Sequence, residues 1–529
     1  MAGLNAERDR IIDEVTSRVV SARVRKSRAG GDASLEYALN EAAYHEILRL
    51  EKDPSAAAKR RALAWHKLSN RLARMTEATA RESLTDLVRE LACDVAGNFN
   101  HRVYRVANDV LPPALSLLFS PLGSLRGGLS ALEGMRSRIV TVGPLAAIRA
   151  AAERGTLIVT PTHSSNLDSV VLGFGLSRSG LPPVTYGAGK NLFSNPFLGF
   201  FMHNLGAYRV DRRLKFGLYK DVLKEYSTVL LERGYHSLFF PGGTRCRSNQ
   251  VERHLQLGLL GTGLAALENG LRSGQAVRPI YVVPVTINYR LVLEAETLID
   301  DHLAEIGKSR YIIEDDEASR LGRIVEFSRK IIAHEGAVVL RLGQPMDVFG
   351  NLTDDDGASI DHRGRPVDPA TYLRGADGTI ARDPQRDTEY TRILGRALGA
   401  AYLRQTVLMS PHLLARAMFE AICDQAGTRD IYRLLRMPES GTHVPFASVL
   451  SGIDGVRRAV AENPAWGELS DSVRGAAAED VADDAIRALS TYHTREIVRR
   501  RGRDLTCPDL KLLFYYQNRT DHIPAEALA

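Results

Sequence analysis

Cysteine is scarce in this 529-residue chain, and its four copies, Cys93, Cys246, Cys423 and Cys507, lie far apart. No CxxC pair occurs, which argues against a zinc framework or a disulfide scaffold and fits a reducing compartment. The opening residues, MAGLNAERDR, hold no apolar core of a secretory leader. A membrane-spanning run is also missing. The uncharged stretch Val110–Leu125 has 16 residues and carries Pro112, Pro113 and Pro121, short of the ~18–20 apolar residues that a spanning helix needs. It is expected to be a buried segment, with a hairpin dipping into a membrane surface as the alternative. Internal repeats and low-complexity tracts are absent as well.

What is present is ordinary globular material, 44% hydrophobic and 25% charged, in a chain long enough for two or three domains. Lys and Arg outnumber Asp and Glu by 69 to 63. This mild basic excess suits anionic partners such as phosphate, CoA or acidic lipid headgroups. Nucleic acid is not expected, because no basic and aromatic interleaving of a known module is seen.

Residues 1–138 are expected to be a helical domain. Ile11, Ile12, Val15, Val19 and Val20 mark one face of a first helix, followed by Arg23, Arg25, Lys26 and Arg28. That helix is expected to dock on the rest of the protein, the alternative being a basic membrane contact. From 139 to 348 the pattern becomes α/β. Short β-type runs at Thr156–Thr160, His236–Phe240, Ile280–Tyr289 and Ala337–Leu342 alternate with helical spacing, as in Phe216, Tyr219, Leu223, Tyr226 and Leu230 before a stop at Gly234. Residues 349–387, rich in Asp, Gly and Pro, are expected to form a surface loop, and 388–529 a helical region ending in a polar tail.

Four blocks in the α/β region carry chemistry. The first is PTHSSNLDS, Pro161–Ser169, directly after a strand. A carboxylate at Asp168 can hold one nitrogen of His163 and leave the other to take a proton from a hydroxyl. The competing reading is a cluster that caps the helix beginning near Leu167. The second is GAYRVDRR, whose Arg209, Arg212 and Arg213 suit phosphate by forked hydrogen bonds. The third is FFPGGTRCRS, Phe239–Ser248, a strand running into a turn that presents Gly243, Thr244, Arg245 and Arg247 as a phosphate cradle. The fourth, YVVPVTINY, is a strand interrupted by Pro284, which implies an edge, a bulge or a strand start. It is expected to form an apolar wall rather than do chemistry. Lys190 sits in GAGKNLF, and the run Asn191–Tyr208 behind it holds Phe193, Phe197, Phe200, Phe201 and Met202, suited to an acyl groove, a lipid contact or plain core.

In order and spacing these four blocks resemble the motifs of the glycerolipid (HxxxxD) acyltransferase superfamily, and the wording LYKDVLKEY…ERGYHSLFFPGGTRCRS…LGLLGTG…VVPVTINY is most similar to its glycerol-3-phosphate 1-acyltransferase branch. The resemblance covers roughly 139–345. It implies a mixed sheet flanked by helices, no metal and no cofactor. It also implies acyl-CoA or acyl-carrier protein as donor substrate, glycerol 3-phosphate as acceptor, and work at the cytoplasmic membrane surface with its acidic lipids. By the same resemblance His163 is the general base, Asp168 orients it, and Arg212, Arg245 and Arg247, with Gly243, Thr244 and Lys190, bind substrate. Lysophosphatidate as acceptor and a non-catalytic lipid-surface protein are the rival readings.

Two positions depart from the family pattern: Gly242 stands where it has glutamate, and Cys246 where it has serine. Cys246, between two arginines, is expected to have a lowered thiol pKa but to act only as a serine replacement. Glu252, ten residues beyond Gly242, is expected either to face solvent near a helix start or to fold back and supply the lost carboxylate to the acceptor.

Overall fold

The computed structural model describes residues 1, 3–28, 34–106, 139–190, 193, 196–274, 277–307, 338–491 and 493–528. The stretch Val110–Leu125 lies outside the described residues.

The N-terminal region forms helices α1 (Leu4–Arg28), α2 (Leu35–Glu51), α3 (Ala56–Leu72) and α4 (Glu77–Val95). Ser34, Ser55 and Thr76 open the last three, each side chain accepting a backbone N–H of the first turn. The apolar face of α1 is buried, and it shares one core with α4 and with Phe216, Tyr219, Val222 and Tyr226 of the α/β unit. Its arginines are engaged too: Arg23 pairs with Asp221, and Arg18 with Glu225 and Glu232. The alternative of a membrane-contacting first helix is thereby excluded, since the face that would meet lipid is packed against protein.

The α/β unit runs β1 (Ile139–Val142), α5 (Leu145–Arg154), β2 (Thr156–Pro161), α6 (Asp168–Arg178), β3 (Thr185–Gly189), α7 (Pro196–Asn204), β4 (Ala207–Val210), α8 (Gly217–Glu232), β5 (Ser237–Leu238), α9 (Leu257–Ser273), β6 (Ile280–Tyr289), α10 (Ala295–Ile306) and β7 (Val338–Leu342). The sheet has seven strands in the order β1-β7-β6-β2-β5-β3-β4. Neighbours are parallel except β6 and β7. It is therefore a mixed sheet in which β6, β2, β5, β3 and β4 all end at one edge. Both faces are covered. Leu157 and Val159 of β2 enter one core with Val283, Val285 and Ile287 of β6, while Ile158 and Val282 enter another on the opposite side. This explains why these strands read as continuous apolar runs.

Pro284 lies inside the ten-residue β6. The register toward its antiparallel neighbour advances by one residue between Val285↔Leu342 and Val282↔Met346, so the proline sits at a bulge, one of the places where a missing N–H is tolerated.

Beyond β7, the stretch expected as a surface loop contains three paired two-residue strands, Leu352–Thr353, Ser359–Ile360 and Pro366–Val367. The C-terminal region follows as α11 (Pro384–Gln405), α12 (Ser410–Ala426), α13 (Phe446–Glu462), α14 (Ala478–Thr491) and α15 (Leu510–Gln517), joined by shorter pieces. The expected polar tail begins in the interior and reaches the surface only near its end, at Asp521, Pro524 and Glu526. Tyr515, Tyr516, Gln517, Asn518, Arg519 and Thr520 are all buried; Tyr516, Asn518 and Arg519 place their side-chain polar groups on partners inside, while the Tyr515 hydroxyl has none among the described residues.

Candidate active site

Because five strands end at one edge, the topology gathers the chemical blocks there. His163 follows β2, Lys190 follows β3, Asp211–Arg213 follow β4, the PGGTRCRS loop follows β5, and Tyr289 ends β6. In an open α/β sheet this is where sites form.

His163 and Asp168 meet. The Nδ1 of His163 lies 2.7 Å from Asp168 Oδ2, which also accepts the backbone N–H groups of Ser164 at 2.7 Å and Ser165 at 3.0 Å. The carboxylate is fully buried and opens α6, with its side chain folded back over the turn. It thus shapes the turn and orients the imidazole together. Phe240 stacks on the His163 ring at 4.3 Å between centroids. With Nδ1–H given to Asp168, Nε2 is the nitrogen left to meet a substrate hydroxyl.

Three participants escaped the sequence reading. Tyr289 donates its hydroxyl to the other oxygen of Asp168 at 2.7 Å. The fourth block therefore supplies a partner to the His163–Asp168 pair, correcting its reading as wall alone. Burial and the Asp168 charge push the phenol pKa well up, so it stays a donor. Glu294 accepts from Ser165 Oγ and from the Asn166 N–H, both at 2.9 Å, and lies 3.7 Å from Arg245. Arg519, buried in the C-terminal segment, donates to Asn288 Oδ1 at 3.0 Å and to the Ile287 carbonyl at 3.4 Å, behind the β6 end. Tyr289 ends the fourth block, whose apolar pattern did not mark its hydroxyl for this role; Glu294 and Arg519 lie in no block and are lone residues brought in by topology.

The PGGTRCRS loop turns at Gly243, whose φ of +77° favours glycine. Its Cys246 N–H donates to the His163 carbonyl at 2.7 Å, so the loop and the His163–Asp168 turn are joined. Burial raises the Cys246 thiol pKa, overriding the lowering expected from two flanking arginines. Those arginines point elsewhere, Arg245 toward Glu294 and Arg247 toward Glu305 at 3.2 Å. On the side facing the C-terminal segment a cavity of about 390 Å³ is lined by Thr244, Arg245, Gln250, Arg253 and His522 among others.

Glu252 does not face solvent. Its carboxyl turns inward, Oε1 accepts the His163 N–H at 2.8 Å, and burial pushes its pKa up to about 8. The consequence for stability has a definite sign. Below the unfolded carboxyl's pKa both states hold the proton. Between there and about 8 only the folded state holds it, so stability falls by ~1.4 kcal/mol per pH unit and then levels off. Glu252→Gln is expected to gain melting temperature over the parent as pH rises from 5 to 8; parallel melting curves that keep one offset at every pH would contradict this.

A second basic cluster stands farther along the edge. Lys190 Nζ is 2.5 Å from Asp94 of α4 and 4.0 Å from Asp211. Arg213 makes two bonds to Asp211, Arg209 lies over the Phe193 ring at 5.1 Å, and Arg212 is exposed. The β4 end is three strand spacings from β2, roughly 14 Å. Of the apolar run around α7, Phe200 is 52% exposed.

Comparison with known proteins agrees with this geometry. Residues 145–288 match the family model described as Acyltransferase. A glycerol-3-phosphate acyltransferase of Actinobacillus pleuropneumoniae serotype 5b is 31% identical over 219 residues, covering 41% of this chain and 23% of the relative. Proteins of the same name from Haemophilus ducreyi and Pseudomonas paraeruginosa are 29% identical over 270 residues and 28% over 227, covering 51% and 43% of this chain and 29% and 24% of themselves. The chain thus spans about a quarter of the length of the curated relatives it matches. Residues 145–288 thus carry an acyltransferase domain with the four motif blocks gathered at one sheet edge, and over that region the chain is similar to glycerol-3-phosphate acyltransferases.

Proposed function

We propose that the protein transfers a fatty acyl group from acyl-CoA or acyl-carrier protein to the sn-1 hydroxyl of glycerol 3-phosphate. The observation that carries this reading is the His163–Asp168 pair at the same edge as two arginine clusters. His163 Nε2 takes the hydroxyl proton as the oxygen attacks the thioester carbonyl. A C–O bond forms, the C–S bond breaks, and the imidazolium returns the proton to the departing thiolate. Arg245, Arg247, Gly243 and Thr244, with Arg212 and Lys190 from the far cluster, hold substrate phosphate. Offering the purified protein labelled acyl-CoA with glycerol 3-phosphate, dihydroxyacetone phosphate and lysophosphatidate in parallel tests the acceptor; transfer to lysophosphatidate alone would overturn it.

Arg245→Ala and Arg212→Ala are expected to raise the acceptor KM far more than the donor KM. Loss of a hydrogen bond to a charged group costs about 1.5–3 kcal/mol, roughly 10–150-fold. Equal changes for both substrates would assign these arginines to the donor or to structure.

Peripheral association with acidic membranes belongs to the same proposal. Among the described residues no helix is long and apolar enough to cross a membrane. Helix α3 carries Lys59, Arg60, Arg61, Lys67 and Arg71 without an acidic residue, beside exposed Leu63 and exposed Tyr37, Tyr44 and Leu48 of α2. Each basic group near an acidic surface contributes about 1 kcal/mol. Replacing Lys59, Arg60, Lys67 and Arg71 by Gln should sharply weaken binding to phosphatidylserine vesicles, and high salt should release the parent. Vesicle binding that neither change affects would point to another surface.

A further inference from the structure

We propose that Glu252 is a positioning residue for the catalytic base: its carboxyl fills the space that a side chain at 242 would occupy and holds the His163 backbone in place. The proposal rests on the acyltransferase reading for its activity readout.

Gly242 supplies the first observation. The turn places its positive φ at Gly243, and Gly242 is not among the residues in that region, so turn geometry does not demand glycine at 242. Space does. A Cβ built at 242 would stand 2.5 Å from Glu252 Oε2, 2.8 Å from Cδ and 3.0 Å from Oε1. The whole carboxyl group lies against the bare backbone of Gly242.

The second observation is what that carboxyl does. Oε1 accepts the His163 N–H at 2.8 Å, and the His163 carbonyl accepts the Cys246 N–H at 2.7 Å. Both backbone polar groups of the catalytic residue therefore end on one loop. Oε2 is buried with no hydrogen-bond partner among the described residues, which favours a protonated acid. Asp168 and Arg519 are the charged groups that face it, with the Cys246 thiol and the Tyr402 phenol nearby. The loop is in turn fixed: the Gln256 N–H donates to the Pro241 carbonyl, Asn249 to the Tyr515 carbonyl, and Asn518 to the Ser248 carbonyl. An acid so held sets where the residue-163 backbone sits, and hence where the imidazole reaches. The loop carries at 252 an acidic group that the family pattern carries at 242.

The test compares Glu252→Ala, Glu252→Gln, Gly242→Glu and the double variant Gly242→Glu/Glu252→Ala in the full chain. Steady-state transfer is read beside the rate at which diethyl pyrocarbonate modifies His163 without substrate. Glu252→Ala is expected to lower kcat about 10–100-fold with both KM values nearly unchanged, as misplacing a reacting group does. Glu252→Gln, an isostere of the protonated acid, should stay within about threefold of the parent, since it keeps the same acceptor for the amide. Gly242→Glu alone should be crowded and nearly inactive, and the double variant should regain at least tenfold over Glu252→Ala, with the His163 modification rate returning toward the parent's. A double variant that does not fold or is no better than Glu252→Ala, or equal losses in the Gln and Ala variants, overturns the proposal. Should the parent transfer no acyl group from any donor, the functional reading fails, while the His163 modification rates still decide the role of Glu252.

Discussion

Replacing His163 by alanine is expected to lower turnover by about 10²–10⁴-fold while the protein keeps its fold and its donor affinity. The imidazole is partly accessible, with 17% of its side chain exposed, and its polar contact is to Asp168 through Nδ1. The backbone ties at this position, to Glu252 and Cys246, do not depend on the side chain. Alanine therefore removes the base and its stacking on Phe240 but leaves the turn anchored. The measurement is kcat with a donor-binding isotherm and a melting curve on the same preparation. Near-parental kcat would remove His163 from the mechanism. A collapsed melting temperature would instead show that the ring is structural.

The main chemistry was legible because it is local. His163 and Asp168 lie five residues apart on one strand-to-helix turn, and the carboxylate reaches back across that turn. Strands β2 and β6 were legible because both faces are buried, leaving unbroken apolar runs. Strand β3, Thr185–Gly189, was not, because TYGAG has the glycine content of a loop. One glycine there serves packing: a Cβ at Gly187 would stand 3.1 Å from the Tyr208 ring. The roles of Tyr289, Glu294 and Arg519 were invisible for a different reason. They reach the site from sequence distances of more than a hundred residues: strand order puts Tyr289 and Glu294 beside residues 165–168, and the packing of the C-terminal segment puts Arg519 on the end of β6. The final segment misled because polar composition was read as solvent exposure. Asn518 and Arg519 are buried, and each has its hydrogen bonds inside.

That segment links the helical C-terminal region to the chemistry. Tyr515 and Asn518 hold the PGGTRCRS loop, and Gln250 of that loop donates to Asp521 at 2.9 Å. Tyr516 accepts the Val292 N–H two residues before Glu294, which in turn takes Ser165 Oγ. The His163–Asp168 turn is thus braced from the arginine loop on one side and from the β6–α10 connection on the other, and both braces end on residues 515–521. Such supporting bonds let a site keep its geometry on loops rather than on rigid elements.

Asp168→Asn is expected to be nearly as damaging as loss of the histidine, through two separate effects. In the parent the carboxylate accepts four hydrogen bonds, from His163 Nδ1, the Ser164 and Ser165 N–H groups and the Tyr289 hydroxyl. An ionised carboxylate is acceptor-only and suits all four; an amide offers one accepting oxygen and an NH₂ group. If the oxygen takes the two backbone N–H groups and His163, the NH₂ meets the Tyr289 hydroxyl, which must then rotate to accept. If the amide flips, its NH₂ faces two N–H donors in a fully buried site and stabilises the imidazole tautomer with the proton on Nε2. The first arrangement keeps the tautomer but removes the charge that stabilises imidazolium, and the second removes both. In a Ser-His-Asp triad the wrong tautomer costs roughly 10⁴-fold in kcat, so a loss of about 10²–10⁴-fold is expected here. A stability loss of about 1–3 kcal/mol should accompany it from the unsatisfied buried donors. Asp168→Asn/Tyr289→Phe separates the two effects. Deleting the hydroxyl removes the donor that favours the flipped amide, so the amide oxygen can turn back to the Ser164 and Ser165 N–H groups and stability should partly recover while kcat stays low. Recovery of kcat in the double variant would mean that Asp168 acts by shaping the turn rather than by its charge.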